Sequence, residues 1–269
     1  MTDRILIVTA VAAEADSVAR GLAGEGRPDA LPGGYALRRH TTAVPVPTAS
    51  GGPAAPAGAP SAVDVLVAGV GPAAAAAATA TALARAALDD APYGLVVSAG
   101  IAGGFAPHAP LGSVVVSDAL VAADLGAQTP DGYLPVEDLG FGRSAHRVPP
   151  ALLRHVADVL DAGGIGPRVG PVLTVSTVTG TAARAAELAR RHPGAVAEAM
   201  EGFGVAEAAA AHGLPVIEIR AVSNAVGPRD RAAWRIGEAL AALTHAFRLL
   251  AGGPAPGDLA EPAELRKPK

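Results

Sequence analysis

The chain has 269 residues, of which 50% are hydrophobic, 17% are charged and none is cysteine, and its formal net charge is −4. This length and apolar content suffice for one large α/β domain or two small ones. A slightly acidic chain lacks the positive surface that nucleic-acid binding requires. The absence of cysteine excludes disulfides, thiolate metal sites and thiol nucleophiles, and it fits the reducing cytoplasm in which we expect the protein to act.

Neither secretion nor membrane insertion is indicated. The chain enters an apolar strand directly after Asp3 and Arg4, without the pattern of a signal peptide. Gly, Pro or charged residues interrupt every apolar run before it reaches the ~18 residues of a membrane span. We therefore expect no secretory signal and no membrane association.

Short apolar runs alternate with helical segments along the chain. The predicted strands are 4–9, 35–39, 63–68, 94–98, 112–117, 170–179 and 215–221, and the predicted helices are 10–22, 72–88, 150–162, 182–191, 198–212 and 232–250. This alternation is typical of an α/β three-layer sandwich around a mixed, mostly parallel central sheet. We predict a single domain over residues 1–251, with a flexible low-complexity insertion at 41–61 and a flexible tail at 252–269.

Glycines follow several predicted strands, at the sheet edge where α/β proteins bind ligands. The Gly69-Val-Gly71 segment allows three interpretations: a tight turn, a ribose or phosphate contact, or a relaxed dinucleotide fingerprint that lacks its acidic residue. The run from Ala99 to Phe105 contains more small residues. It predicts a backbone that a ligand can approach closely, and a crowded turn without a ligand is the alternative.

Two carboxylates stand in positions that need an explanation. Glu14 lies in the first turn of a predicted helix, where the dipole favours an acid, so a solvated surface role is the alternative to catalysis. Glu201 lies among apolar and small residues and needs a polar or charged partner. Arg220, which ends an apolar strand, is a candidate partner, although Glu218 on the same strand could compete for it. Glu198 is predicted to face solvent on a helix.

The order of these motifs resembles the superfamily of purine nucleoside phosphorylases and methylthioadenosine/S-adenosylhomocysteine nucleosidases. The resemblance covers about residues 4–250 and rests on Glu14, Gly-Ile-Ala-Gly-Gly at 100–104, Ala-Met-Glu-Gly at 199–202 and Arg-Ala-Val-Ser-Asn at 220–224. Within the superfamily, segments 123–142 and 174–181 are similar to those of the futalosine hydrolase family in particular. That family consists of nucleosidases of menaquinone biosynthesis.

The resemblance implies roles for named residues. Glu201 and Met200 would form the ribose-binding pair, in which the Glu201 carboxylate accepts charge-assisted hydrogen bonds from two hydroxyls, and Arg220 would support this acid. Glu14 would orient and deprotonate the attacking water. Further substrate-binding residues implied by the resemblance are Ile101, Ala102, Gly103, Ala183 and Ser223. Ile101 stands where some nucleosidases carry a serine, so backbone groups of the next two residues would have to serve there.

Asn224 indicates which base is bound. Adenosine-type nucleosidases carry an aspartate at the matching position, which protonates N7 and accepts from the 6-amino group. An asparagine amide can instead donate to O6 of a 6-oxopurine and accept N7–H, with the proton delivered by way of water. A role in capping the loop after Ser223 is the alternative. Asn224 thus favours hypoxanthine as the leaving base.

Hydrolysis is favoured over phosphorolysis, because the loop before Glu14 has neither glycine nor arginine and a carboxylate there would repel phosphate. The resemblance then implies a nucleosidase that cleaves futalosine to hypoxanthine and dehypoxanthine futalosine, without a metal or organic cofactor. One alternative is a phosphorylase or nucleosidase for inosine-like or methylthioadenosine-like substrates. Another is a non-catalytic nucleoside-binding module.

The far end of futalosine bears a benzoate, and a basic residue should meet its carboxylate. Four arginines are candidates at this stage: Arg38, Arg143, Arg229 and Arg235. In related enzymes a partner subunit helps to cover this end of the substrate. The resemblance therefore implies a homo-oligomer, a dimer or larger.

Overall fold

The structure, a computed structural model, describes residues 4–22, 26–42 and 61–252. In chain order its elements are β1 (Arg4–Thr9), α1 (Ala12–Gly21), β2 (Arg27–Ala30), β3 (Ala36–Thr42), β4 (Ser61–Val67), α2 (Pro72–Leu88), β5 (Leu95–Gly104), β6 (Val114–Ala122), β7 (Gly126–Thr129), β8 (Gly132–Pro135), β9 (Ala145–Arg147), α3 (Pro150–Ala162), β10 (Arg168–Thr174), α4 (Ala182–Arg191), β11 (Ala197–Ala199), α5 (Gly202–Ala211), β12 (Val216–Ala225) and α6 (Ile236–Leu250). Most of the insertion and nearly all of the tail that we predict lie outside the described residues. The domain limits therefore stay a prediction.

Ten of these strands form one mixed sheet in the order β11-β10-β6-β12-β5-β1-β4-β3-β2, with β9 paired along β6. Strands β4, β1, β5 and β12 are parallel, and so are β6, β10 and β11, while the two sets meet antiparallel at β12 and β6. Five of the six residues of β1 are buried, as expected where both faces of a sheet are covered. α1 and α3 pack against α6, and α2 packs against α5. The predicted α/β sandwich is confirmed, and none of the described helices is long and apolar enough to cross a membrane.

A second pairing of β5 closes part of the sheet into a ring. Its last two residues, Gly103 and Gly104, pair with β12 on one side and with β11 on the other. Strands β5, β12, β6, β10 and β11 therefore form a small barrel at the carboxyl end of β5. Gly104 permits this closure, because a Cβ at that position would overlap the carbonyl oxygen of Ala109.

Two segments differ from the prediction because of this closure. The run that we predict as a turn after residue 98 continues β5 as far as Gly104, since the small residues fit inside the barrel. The predicted start of a helix at Glu198 is wrong, because residues 197–199 form β11 and pair with β10 and β5. The expectation that Glu198 faces solvent is also wrong: its side chain is buried and accepts hydrogen bonds from the backbone N–H and the hydroxyl of Thr179.

Gly204 lies where α5 crosses the start of α2. A Cβ at this position would overlap the backbone carbonyl of Pro72, so either helix would have to shift. We expect Gly204→Ala to lower the free energy of unfolding by about 1–3 kcal/mol, the usual cost of overpacking.

Gly237→Ala is the matched control. Residue 237 is exposed in the first turn of α6, and nothing lies within 4 Å of a Cβ built there. Alanine is the better helix former, so this variant should be unchanged or more stable by up to about 1 kcal/mol. Denaturant titration of both variants measures the difference, and equal changes in stability would contradict the packing of α5 on α2.

Candidate active site

Arg220 is the cation at the centre of the candidate site. It lies on β12 with 1% of its surface exposed. Its Nε donates to Oε1 of Glu218 at 2.8 Å, and its Nη2 donates to Oε2 of Glu201 at 3.2 Å. The same Nη2 contacts the hydroxyl of Ser98 at 3.2 Å. Glu218 and Glu201, the two candidate partners of Arg220 in the sequence, therefore both accept from its guanidinium.

Burial and the neighbouring charges act on the pKa of Arg220 in opposite directions. Burial by itself would lower the pKa of this guanidinium. The negative charges of Glu218, Glu201 and Glu14 outweigh that effect, so its pKa is raised and the group stays a cation. For Glu218, which is also fully buried, burial raises the carboxyl pKa while the arginine opposes the rise.

Glu201 directly precedes α5 and is 6% exposed. Its Oε1 accepts from the backbone N–H of Gly71 at 3.2 Å, and its Oε2 accepts from the N–H of Met200 at 3.3 Å as well as from Arg220. Gly69 and Gly71 have φ values of 92° and 94°, a conformation that favours glycine. The loop after β4 therefore relies on the freedom of two glycines, and its backbone helps to hold the carboxylate of Glu201.

Glu14 is buried, although it lies in the first turn of α1. Its Oε2 accepts from the N–H groups of Ala10 at 3.0 Å and Val11 at 3.3 Å, and its Oε1 accepts from Ile101 N–H at 2.9 Å. Burial raises the pKa of the carboxyl, and the charge of Arg220 together with the Ile101 N–H only partly opposes this. A fixed carboxylate of increased basicity suits a general base, and the solvated alternative is ruled out by its burial.

Gly100 makes the approach of Glu14 and Arg220 possible. A Cβ at this position would lie 2.5 Å from Oε1 of Glu14 and 2.6 Å from Nη1 of Arg220. No side chain larger than hydrogen fits between them. Our prediction assigned the small residues of this run to ligand approach and did not include Gly100 in the site. The sequence feature that could have identified Gly100 was a glycine within a buried apolar strand.

Asn224 is half-buried near the end of β12, opposite Gly103. Its Oδ1 accepts from the hydroxyl of Ser223 at 2.9 Å, and its Nδ2 donates to the carbonyl of Ala225 at 3.0 Å. The hydroxyl of Ser223 also contacts the carbonyl of Ala102 at 3.3 Å. An amide oxygen has two acceptor positions and an amide nitrogen has two protons, so one acceptor and one donor remain for a ligand.

The other predicted binding residues occupy two regions. Ile101 and Gly103 are partly exposed along β5, Ala102 is buried between them, and Met200 precedes Glu201. Ala183 is exposed in the first turn of α4, and its assignment to the site stays a prediction. Within the described ranges, no three His, Asp or Glu side chains are arranged to hold a metal ion.

Comparison with known proteins identifies relatives along nearly the whole chain. Residues 5–251 match the family model of the Phosphorylase superfamily. The chain is 60% identical over 247 residues to a futalosine hydrolase of Streptomyces coelicolor, which covers 92% of this chain and 94% of that protein. It is 49% identical over 250 residues to a futalosine hydrolase of Acidothermus cellulolyticus, covering 93% and 91% of the two chains.

Solved structures share the fold at low sequence identity. The futalosine hydrolase of Helicobacter pylori has a TM-score of 0.73 at 15% identity and covers 93% of this chain and 97% of its own. The 5'-methylthioadenosine/S-adenosylhomocysteine nucleosidase of Neisseria meningitidis, in complex with methylthio-immucillin-A, has a TM-score of 0.71 at 16% identity, with coverages of 93% and 98%. These likenesses confirm the nucleoside phosphorylase-like fold. The chain belongs to the Phosphorylase superfamily and, within it, to the futalosine hydrolase family.

Proposed function

We propose that this protein hydrolyses the N-glycosidic bond of futalosine and releases hypoxanthine and dehypoxanthine futalosine, as a step of menaquinone biosynthesis. The observation that carries the proposal is the buried Glu14, held by three backbone N–H groups beside the ion pair of Arg220 and Glu201. Membership of the futalosine hydrolase family supports the assignment of Glu14 as the base, Glu201 as the sugar-binding acid and Asn224 as the amide for the purine.

In this proposal Glu201 binds the ribose. Gly71, Met200 and Arg220 hold its carboxylate in one orientation. Among the described residues Oε1 accepts only from Gly71, so it retains an acceptor position for a ribose hydroxyl. Since the acid is fixed before the sugar arrives, little ordering is needed when the charge-assisted bond forms.

Glu14 acts as the general base. As the bond between C1′ and the purine breaks, the ribose gains oxocarbenium character, which a nearby carboxylate stabilises. Water attacks C1′, its proton passes to Glu14, and the electron pair of the broken bond leaves with the purine. A solvent water protonates N7, and the hydroxide that this leaves is neutralised by the proton held on Glu14, which regenerates the base. The free acceptor of Asn224 receives the resulting N7–H while its free N–H donates to O6.

Phosphorolysis suits this site less well. Phosphate is normally held by arginines and backbone N–H groups. Here Arg220 already donates to two carboxylates, to Ser98 and to the carbonyl of Ile101. The N–H groups of Ala10, Val11 and Ile101 are directed at Glu14, whose negative charge would repel the anion.

We further propose that the protein is a cytoplasmic homo-oligomer. Val11 and Val70 are 42% and 57% exposed, and both belong to the loops that contact Glu14 and Glu201. Exposed apolar side chains beside a site are suited to being covered by a second subunit. A monomer mass in sedimentation equilibrium, or recovery of the protein outside the cytoplasm on cell fractionation, would contradict this proposal.

Glu14→Gln should lower kcat for futalosine by about 10²- to 10⁴-fold, because the amide cannot take a proton from water. Release of hypoxanthine, followed with and without added phosphate, measures the effect. Glu238→Gln is the control, since Glu238 is exposed on α6 and should behave as wild type. Unchanged turnover in Glu14→Gln would refute the mechanism, and a phosphate requirement in the wild type would refute hydrolysis.

The pH dependence follows from the raised pKa of Glu14. Only the deprotonated carboxylate can accept a proton from water, and burial makes this group release its proton at a higher pH than an ordinary glutamate. kcat/KM should therefore decline on the acid side as pH falls through this raised pKa, above the ordinary glutamate value of about 4.3. A profile that stays flat down to that ordinary value would contradict the assignment.

Asn224→Asp should change the base preference. The carboxylate would face O6 of hypoxanthine with an acceptor, so kcat/KM for futalosine should fall by about 10- to 100-fold, while the 6-amino counterpart of futalosine should be cleaved better. Asn224→Ala is the control, because it removes both contacts and should impair both substrates. If Asn224→Asp retains the wild-type ratio of hypoxanthine to adenine release, Asn224 does not select the base.

A further inference from the structure

The four arginines that the sequence offers for the substrate's far end differ in their contacts. Three of them pair with carboxylates: Arg38 with Asp16 at 2.6 Å, Arg143 with Glu207 at 3.3 Å, and Arg235 with Glu238 at 3.3 Å. Among the residues that the structure describes, Arg229 has no carboxylate within ion-pair distance. Its positive charge is therefore available for an anionic ligand.

Arg229 lies over an aromatic ring together with a second arginine. The guanidinium carbon of Arg229 is 5.2 Å from the centroid of the Trp234 ring, and that of Arg231 is 5.9 Å from it. Arg231 also lacks a carboxylate partner in the described part of the chain. The nearby Asp230 accepts from the N–H of Ala232 at 3.1 Å instead. Two unneutralised guanidinium groups beside one indole can recognise a planar anion by charge and by stacking.

This loop is attached to the site at several points. The N–H of Val226 donates to the end of β5 at 2.9 Å, and the N–H of Arg235 donates to the carbonyl of Ser223, next to Asn224, at 2.8 Å. The Cγ and Cδ atoms of Arg229 are 3.8 Å from the position that a Cβ of Gly180 would take. Gly180 directly follows Thr179, which Glu198 fixes. Arg229 and Trp234 thus belong to a loop at the rim of the site, which follows Asn224 on β12 and contacts the segment before α4 at Gly180.

We propose that Arg229 and Trp234 form a specificity subsite for an aromatic carboxylate at the far end of the nucleoside substrate. The guanidinium of Arg229 pairs with the carboxylate, the indole stacks on the ring, and Arg231 adds a second positive charge. This inference rests on the proposed function, because it assigns a place to the benzoate of futalosine. It adds the residues that distinguish this substrate from nucleosides without an acidic ring.

The test compares futalosine with its carboxamide derivative, in which the benzoate is uncharged and the base and ribose are the same. The variants are Arg229→Ala, Arg229→Lys and Trp234→Ala. Arg168→Ala is the matched control, because Arg168 is an exposed arginine at the amino end of β10, away from the barrel edge. For each protein the ratio of kcat/KM for the acid to kcat/KM for the amide is measured at low and high NaCl.

We expect the wild type and Arg168→Ala to favour the acid on the order of tenfold, and less at high NaCl, since salt screens an exposed ion pair. The ratio should approach one in Arg229→Ala and be intermediate in Arg229→Lys, which retains the charge without the planar fork. Trp234→Ala should raise KM for both compounds.

Two failures are distinguishable. Suppose that the wild type releases hypoxanthine from futalosine, but that Arg229→Ala has the same acid-to-amide ratio of kcat/KM as Arg168→Ala. The subsite is then refuted and the proposed function stands. If the wild type does not cleave futalosine at all, the proposed function is wrong, and the subsite is overturned with it.

Discussion

One buried cation holds the candidate site together. Arg220 meets Glu218 and Glu201 directly and lies close enough to Glu14 to influence its pKa, and all four side chains are buried. If the three carboxyls were all ionised, the group would carry an uncompensated negative charge away from water, which is costly. Burial accordingly raises the pKa values of Glu14 and Glu218, and the charge of Arg220 opposes the rise at both carboxyls.

Two glycines next to this cluster leave the space that its side chains occupy. Gly100 leaves space for Glu14 and Arg220, and a Cβ at Gly202 would overlap the carboxyl of Glu218. Both glycines belong to elements whose other side chains pack in the core. Charge pairing and backbone packing are thus linked: a larger residue at either position would separate the charges and leave one without a partner.

The barrel closure places Asn224, the amide proposed to bind the base, relative to this cluster. Glu198, Gly103 and Asn224 occupy one row across β11, β5 and β12. Glu198 fastens the loop after β10 through Thr179, and burial raises the pKa of the Glu198 carboxyl, with the Thr179 hydrogen bonds acting in the opposite direction. The strand that carries Gly100 beside Glu14 therefore also carries Gly103 beside Asn224. A single strand thus sets the spacing between the proposed general base and the proposed base-binding amide.

The sequence was sufficient where a local pattern or a motif carried the information. Alternating apolar runs predicted the sandwich, and the burial expected of Glu201 and its pairing with Arg220 are observed. Glu198 was mispredicted because a three-residue strand has too little periodicity to distinguish it from the helix that follows. Gly100 was missed because its function depends on two side chains from distant segments. Both errors concern contacts between segments that are distant in the sequence.

In the proposed function, catalysis and substrate specificity depend on different parts of the site. The cluster around Arg220 is interlocked with glycines and core strands, and replacement of Arg220 would leave buried carboxylates without their cation. Asn224 retains a free donor and acceptor, and the loop that carries Arg229 is exposed, so both can change without disturbing the core. Selection among nucleosides is therefore expected to depend on these peripheral residues, while bond cleavage depends on the buried group.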